Sequence, residues 1–411
     1  MSTDTGPVAD TIIHNAVILD ETDDHLGAAA HRGAVGEAEG SSGSGDWIAH
    51  AQGTITARGS GSGWKQLAAS ASTQVVDAQG AYLAPAYVDI HCHGAGGSSA
   101  EDGEAGLAAA LDVHRAHGTR ALALSFVSDT VTGLCESLRF GSRLVKGNSG
   151  LIGLHAEGPF LSPDFKGAHA PEVLTAPTAE AVEAILTAAD GALAQITIAP
   201  ELPGALEAIR RFTSAGVKVG VGHTAADYEG AERAFDAGAS ILTHAFNAMS
   251  GIHHRAPGPI LAAVDAQHVT LELINDGVHV AAPAARMLRN LAPDRIALIT
   301  DAMAATGMAD GHYTLGSLPV AVEGSVARLE TEDGSIGSIA GSTLTMDEAV
   351  RRAVATVGMS PLEAVQSASL VPLRTLGVVA ADERSLLRVG MPADYLLLEA
   401  DMSIRAENMA R

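Results

Sequence analysis

A chain of 411 residues that is 47% apolar and 18% charged is long enough to bury a large core and too apolar for disorder to be its default state. Its formal net charge of −23 opposes binding to nucleic acid or an anionic membrane, so an anionic ligand would have to meet a locally positive site. The two cysteines, Cys92 and Cys135, are too few for a disulfide framework or a paired-thiolate zinc cluster.

The N-terminus, MSTDTGPVAD, has no basic stretch followed by an apolar run, and no uncharged apolar segment of membrane-spanning length follows. A soluble, cytoplasmic protein is the expectation. Residues 9–19 (ADTIIHNAVIL) read as a strand, and the acidic, then Gly/Ser-rich stretch 21–45 reads as a flexible surface insertion. Short β-like runs resume at 46–56 and 73–83 and recur at 312–330 and 393–399. Both chain ends are therefore expected to build one small β-sandwich domain from residues 1–82, 311–330 and 373–411.

Between them, short apolar runs alternate with Ala-rich stretches of helical period, the pattern of β/α units around a parallel sheet. The runs are 83–91, 120–126, 151–157, 195–200, 217–223, 241–244, 270–274 and 295–301. Eight such units within residues 83–310, joined by helices at 343–372, fit an α/β fold with a closed (β/α)8 TIM-like barrel better than an open doubly wound sheet. No glycine-rich phosphate loop or dinucleotide fingerprint follows a strand, so no nucleotide cofactor is expected.

The polar residues fall at the ends of these runs: His91-Cys92-His93 after the first, His155-Ala156-Glu157 after the third, His223 after the fifth, His244 after the sixth and Asp301 after the eighth. In a barrel the C-terminal strand ends converge on one mouth, so these residues would meet there. Strand alternation turns His91 and His93 to one side and Cys92 to the other. A lone histidine after a strand is more often a hydrogen-bonded structural residue. The joint set His91, His93, Glu157, His223, His244 and Asp301 makes the case for a divalent metal, with N and O donors suited to Zn²⁺ or another borderline ion.

Asp301 follows RIALIT, where a carboxylate must be paired or metal-bound to offset its desolvation. It reads either as a cap for the segment AMAATG or as a general base. The loops add donors and positive charge at Lys166 to His169, Asn247 to Met249, His253 to Arg255, and His279. Singly each could be a solvated loop residue, His253 and His254 above all. Arg255 suits a phosphate, because its guanidinium forks two oxygens and stays charged.

The strings YLAPAYVDIHCHG, LHAEGPFLSPDFKGAH, APE (199–201), VGHT, THAFNAM, RAPG (255–258), NDGVH, LITDAMAATG, IAGSTLTMD and GMPADYLLL, in this order, resemble the N-acetylglucosamine-6-phosphate deacetylases of the amidohydrolase superfamily from about residue 73 to 395. Each string is weak alone, and their order makes them specific jointly. The resemblance implies that Glu157, His223 and His244 are the primary metal ligands and Asp301 the catalytic acid/base. It implies one or two ions per chain, the second on His91 and His93. His169 becomes the candidate for stabilising the oxyanion. Substrate contacts would come from Ala168, His169, Asn247, Ala248, Arg255, His279 and the loop Ile339, Ala340 and Gly341. A phosphorylated amino sugar is the implied substrate, and a homodimer in which a neighbouring subunit lends Arg255 is the implied assembly.

This sequence departs from the family at Ala86, where glycine is usual, and at Ala256, where the arginine is usually followed by glutamate. Other readings are an amidohydrolase acting on the galactosamine isomer or on a cyclic amide, and a catalytically silent scaffold of this fold. Cyclic-amide members with paired metals usually bridge them through a carboxylated lysine, whereas the bridging position here would be Glu157.

Overall fold

The computed structural model describes residues 8–20, 45–331, 334–335 and 337–405. The expected insertion at 21–45 lies outside the described residues except for Gly45. Eight parallel strands form one sheet: β1 (Tyr87–Cys92), β2 (Thr119–Phe126), β3 (Leu151–Glu157), β4 (Leu193–Ile198), β5 (Lys218–Val221), β6 (Ile241–Leu242), β7 (Thr270–Ile274) and β8 (Ile296–Ile299). They pair in chain order from β1 to β8. At the seam the Asp301 N–H donates to the His91 carbonyl at 2.9 Å and the His93 N–H to the Ala302 carbonyl at 2.8 Å, while the buried Asp89 accepts the Thr300 hydroxyl. The sheet is thereby nearly closed into a barrel, as expected from the strand count.

The helices around it are set by local sequence signals. Thr130, Thr178 and Asp227 each accept a backbone N–H in the first turn of helices Val131–Gly147, Ala179–Ala189 and Tyr228–Asp236. Caps of this kind stabilise by about 1 kcal/mol each, so Thr178→Ala would fray its helix. Apolar residues at three- and four-residue spacing, such as Val182, Ile185 and Ala189, turn one face of each helix onto the strands. Ser360 and Glu363 form a reciprocal capping box at the start of helix Pro361–Ser367, within the expected C-terminal helices.

The run expected as one strand from 83 to 91 is two. Residues Tyr82–Pro85 pair with Tyr395–Leu398, and β1 begins only at Tyr87. The first ladder ends one residue after Pro85, where the Ala86 N–H donates to the Asp394 carbonyl at 3.0 Å, and the next N–H, of Tyr87, already donates to the Gly118 carbonyl at 3.0 Å, so the chain enters the barrel there. The chain ends do share a sheet: Thr11–Ile18 pairs with Asp46–Ala51, with Gln74–Asp77 and, at Val17 and Ile18, with the strand that receives Tyr395–Leu398. Ile13, Ile48, Ile55, Leu83, Leu387 and Leu397 form its core.

Residues 311–330 do not join that sheet, which corrects the expectation from the sequence. Strands Gly311–Leu315, Leu318–Glu323 and Val326–Leu329 make an antiparallel sheet of their own. Their inward residues Leu315, Val320, Val322 and Ala327 pack with Met303, Ala305 and Ala340, and against Val127 and Ala168. These partners lie beside the strand ends of the barrel. The burial of that apolar face, rather than strand propensity, decides where the hairpins go.

Candidate metal centre and active site

The strand ends deliver two groups of donors that share one carboxylate. Glu157 (end of β3), His223 (after β5) and His244 (after β6) form one, and His91, His93 (end of β1), Glu157 and Asp301 (after β8) form the other. All are buried. Glu157 Oε1 lies 3.0 Å from Nε2 of both His223 and His244, and Oε2 lies 3.1 Å from His93 Nε2. Asp301 Oδ1 is 3.3 Å from His93 Nε2 and 3.6 Å from His91 Nε2.

On His223 and His91 a hydrogen bond on the far ring nitrogen turns the other nitrogen inward, whereas Nδ1 of His93 and of His244 is buried with no partner among the described residues. His223 Nδ1 lies 3.1 Å from the Phe165 carbonyl, which can only accept, so Nδ1 carries the proton and Nε2 is bare. His91 Nδ1 faces Glu272 at 3.3 Å in the same sense. The His223 and His244 Nε2 atoms are only 3.0 Å apart. A tetrahedral ion with bonds of about 2.0–2.2 Å holds its donors roughly 3.3–3.6 Å apart, so both groups fit a divalent cation after shifts of a few tenths of an ångström.

The electrostatics lean the same way. Burial works against protonating His91 and His93, but Glu157 and Asp301 outweigh it, holding His91 well above the ordinary histidine range and His93 at about 9. Burial would raise the Glu157 and Asp301 carboxyls, and the surrounding histidines reverse this, so both are held below the usual carboxylate range. The pocket is an excess of ionised carboxylate that calls for positive charge, from protons or a metal ion. His155, despite its place in the same strand, is not part of it. Its ring nitrogens sit 3.0 Å from Ser125 Oγ and 3.0 Å from Thr197 Oγ1, and burial pushes its pKa well below the usual value.

The backbone is bent to hold these side chains in the mouth. His223, His244, Phe246, Ala248 and Asp301 all have positive φ, between 27° and 77°. For non-glycine residues such conformations cost on the order of 1–3 kcal/mol each and persist where the surroundings over-determine them, often at active sites. At Asp301 the bracing is explicit: its N–H is held by His91 and its carbonyl accepts the Ser342 N–H at 2.7 Å. A Cβ on Gly341, at φ 58°, would stand 3.0 Å from that carbonyl, so the loop 339–342 approaches as closely as glycine permits.

The Amidohydrolase family profile matches residues 82–410. The chain belongs to the amidohydrolase family. This amidohydrolase is 37% identical over 330 residues to the N-acetylgalactosamine-6-phosphate deacetylase of Escherichia coli O157:H7, covering 79% of this chain and 85% of that protein. It is 33% identical over 354 residues to the N-acetylglucosamine-6-phosphate deacetylase of Caenorhabditis elegans, covering 80% and 82%. Its fold matches a mutant N-acetyl-D-glucosamine-6-phosphate deacetylase from Mycobacterium smegmatis, solved in complex with N-acetyl-D-glucosamine-6-phosphate. The TM-score is 0.83 at 34% identity, over 98% of this chain and 99% of that one. Metal dependence is a property of the amidohydrolase family, and the donor groups above are where this member could meet it.

The other residues singled out in the amidohydrolase sequence fall into two sets. His169 joins the cluster: the Ser128 N–H donates to its Nδ1 at 3.3 Å, which leaves the proton on Nε2, 3.5 Å from Glu157 Oε2. Ala168 packs into the hairpin core, and Ala340 is buried there, with Ile339 half-buried beside it. Asn247 donates to the His244 and Ala245 carbonyls, and the Ala248 carbonyl accepts the Thr224 N–H, so these two brace the turn after β6.

The second set stands apart from the cluster. Arg255 lies on an exposed turn, where its guanidinium meets the His254 ring at 2.7 Å and, among the described residues, no carboxylate. His279 is held by Asp276 at 2.6 Å. Neither makes a contact to the donor groups among the described residues.

Sequence reasoning missed Glu272 and Gln195. Glu272, on β7, is fully buried and accepts from Gln195 Nε2 at 2.7 Å, from the His244 N–H at 3.2 Å and from His91 Nδ1. The signal was a lone carboxylate in the apolar run TLELI, where only a built set of partners makes burial tolerable.

Proposed function

We infer that this amidohydrolase removes the acetyl group of N-acetyl-D-glucosamine 6-phosphate, giving D-glucosamine 6-phosphate and acetate. The observation that carries the reading is the ionised Asp301 carboxylate beside two donor groups that share Glu157, with the His169 Nε2–H turned into the same space. Glu157, His223 and His244 would hold one divalent ion, for which Zn²⁺ is the proposal, and His91, His93 and Asp301 with Glu157 a second. An ion there supplies Lewis-acid polarisation of the amide carbonyl and activation of water. Asp301 accepts the proton of the attacking water and returns it to the departing amine, which leaves as a neutral group. The His169 Nε2–H stabilises the developing oxyanion.

Arg255, with no carboxylate partner of its own among the described residues, is proposed to bind the 6-phosphate from a neighbouring subunit of a homodimer, with His279 near it. Among the described residues no helix is long and apolar enough to cross a membrane, and a cytoplasmic location is proposed with the reading. The test is acetate release from N-acetylated amino sugars, with and without the 6-phosphate, using metal-quantified enzyme. Preference for the glucosamine 6-phosphate derivative supports the reading. Preference for the galactosamine epimer, the substrate class in the name of the Escherichia coli relative, would redirect it, and no acetate release from any phosphorylated amino sugar would overturn it.

A further inference from the structure

We propose that Glu272 is a positioning residue that ties the two donor groups together and fixes their competence to bind metal. Its carboxylate sits inside the barrel with no solvent exposure and is met by three N–H donors: Gln195 Nε2 on Oε1, and His91 Nδ1 and the His244 backbone N–H on Oε2. It touches the first group through the main chain of His244 and the second through the ring of His91. Gln195 is itself fully buried on β4, so the carboxylate is held on a side that neither donor group occupies.

The donor pattern explains why glutamate is needed. A carboxylate only accepts, so all three N–H groups can be satisfied at once. A glutamine at 272 keeps the shape and loses the charge: Gln195 can turn its unpartnered Oε1 to the new NH₂, and the remaining oxygen still meets His91 Nδ1 and the His244 N–H, but as a neutral and weaker acceptor. With the proton of His91 held on Nδ1 by Glu272, Nε2 is the atom left to face Glu157 and Asp301 at 3.5 and 3.6 Å. The His91 ring is fixed in addition by edge-on contact with His155 at 4.4 Å between centroids. Carboxylate partners of this kind set the tautomer and raise the basicity of a ligating imidazole, and their removal typically weakens metal binding about 10- to 100-fold.

The inference rests on the metal reading of the site but not on the identity of the substrate, so it is tested with Zn²⁺ alone. Metal-free protein is titrated with Zn²⁺ against a chromophoric chelator, comparing wild type, Glu272→Gln and Gln195→Met, with thermal unfolding of each metal-free chain recorded in parallel. Glu272→Gln is expected to weaken Zn²⁺ binding by about 10- to 100-fold. Gln195→Met, which withdraws one donor and leaves every donor group intact, is expected to weaken it less, in the same direction. ¹⁵N spectra of the histidine rings in the metal-free chains, taken at a pH high enough for His91 to carry a single proton, are expected to show its Nδ1–H preference weakened in Glu272→Gln. Wild-type affinity in both folded variants, or an unchanged His91 ring in Glu272→Gln, overturns the proposal while leaving the deacetylase reading intact. A wild type that takes up no Zn²⁺ overturns the metal reading and this inference with it.

Discussion

Asp301→Asn removes the proposed acid/base and leaves almost everything else in place. Asparagine has the same shape and is among the residues that tolerate positive φ, which Asp301 adopts at 49°. The backbone bonds to His91 and Ser342 do not involve the side chain, so the seam of the barrel is kept. The Glu157, His223 and His244 group does not include Asp301, so an ion bound there stays. What is lost is a group able to take a proton from water and return it, together with one carboxylate donor of the second group. General acid–base catalysis contributes about 10²- to 10⁴-fold, or roughly 2.7–5.4 kcal/mol of barrier. Acetate release at saturating N-acetyl-D-glucosamine 6-phosphate, normalised to metal content by mass spectrometry, should therefore fall at least about a hundredfold. A variant with unchanged metal at the first group and turnover within about threefold of wild type would refute the role of Asp301 and the proton route built on it.

Three further outcomes follow from named contacts. His91→Ala removes a donor from the group that also holds His93 and Asp301, so Zn²⁺-saturated protein should carry fewer ions per chain than wild type. Equal stoichiometry in both would reject the second group. Arg255→Ala should lower kcat/KM for the phosphorylated sugar by roughly ten- to a hundredfold, the size of a charge-assisted bidentate contact, and scarcely change hydrolysis of the unphosphorylated sugar. Equal losses on both would assign Arg255 to assembly. Away from the site, the hydrogen bond between His117 and Asp347, 3.0 Å, raises the His117 pKa and helps depress that of Asp347. The raised His117 contributes stability that is full below its unfolded value of 6.5 and fades as pH rises through the folded one. The depressed Asp347 contributes above 3.8 and loses it as pH falls. The melting-temperature gap between wild type and Asp347→Asn should thus be widest between about pH 4 and 6.5 and correspond to no more than about 1 kcal/mol for so exposed a pair; a gap that widens above pH 8 would contradict the assignment.

The barrel was legible because parallel strands buried on both faces are short apolar runs, and helices between them repeat every three to four residues. The donor set was legible because strand ends converge, so that His91, His93, Glu157, His223, His244 and Asp301 meet although the outermost two lie 210 positions apart in the sequence. Two things were not legible. The hairpins at 311–330 have the same alternation as the strands of the chain-end sheet, and alternation tells which residues are buried but not against what. Glu272 and Gln195 lie inside strands rather than at their ends, where a polar residue gives no periodic signal and its partners come from β1, β4 and the turn after β6. Arg255 was legible as a cation and as a loop residue, yet a single chain leaves it on an exposed turn.

The buried charge gives the site its logic. Asp89, Glu157, Glu272 and Asp301 all lie in or at the end of barrel strands, each buried, and no arginine or lysine pairs with any of them among the described residues. Such charges are expensive to desolvate unless hydrogen-bonded or compensated. Asp89 is compensated by bonds to Thr300 and the His91 N–H, and burial still raises its pKa to about 6. Glu272 has its three N–H donors. Among the described residues, Glu157 and Asp301 have only imidazoles within reach of their carboxylate oxygens, and imidazoles can hold a proton or coordinate an ion through the same Nε2, but not both. A barrel that uses fixed hydrogen bonds to stabilise two of its carboxylates and leaves the other two facing imidazole Nε2 atoms, whose protons a cation can replace, has put its exchangeable positive charge at one spot in the mouth. That asymmetry, more than the presence of histidines, distinguishes a centre built to take a cation from a core that merely tolerates polar residues.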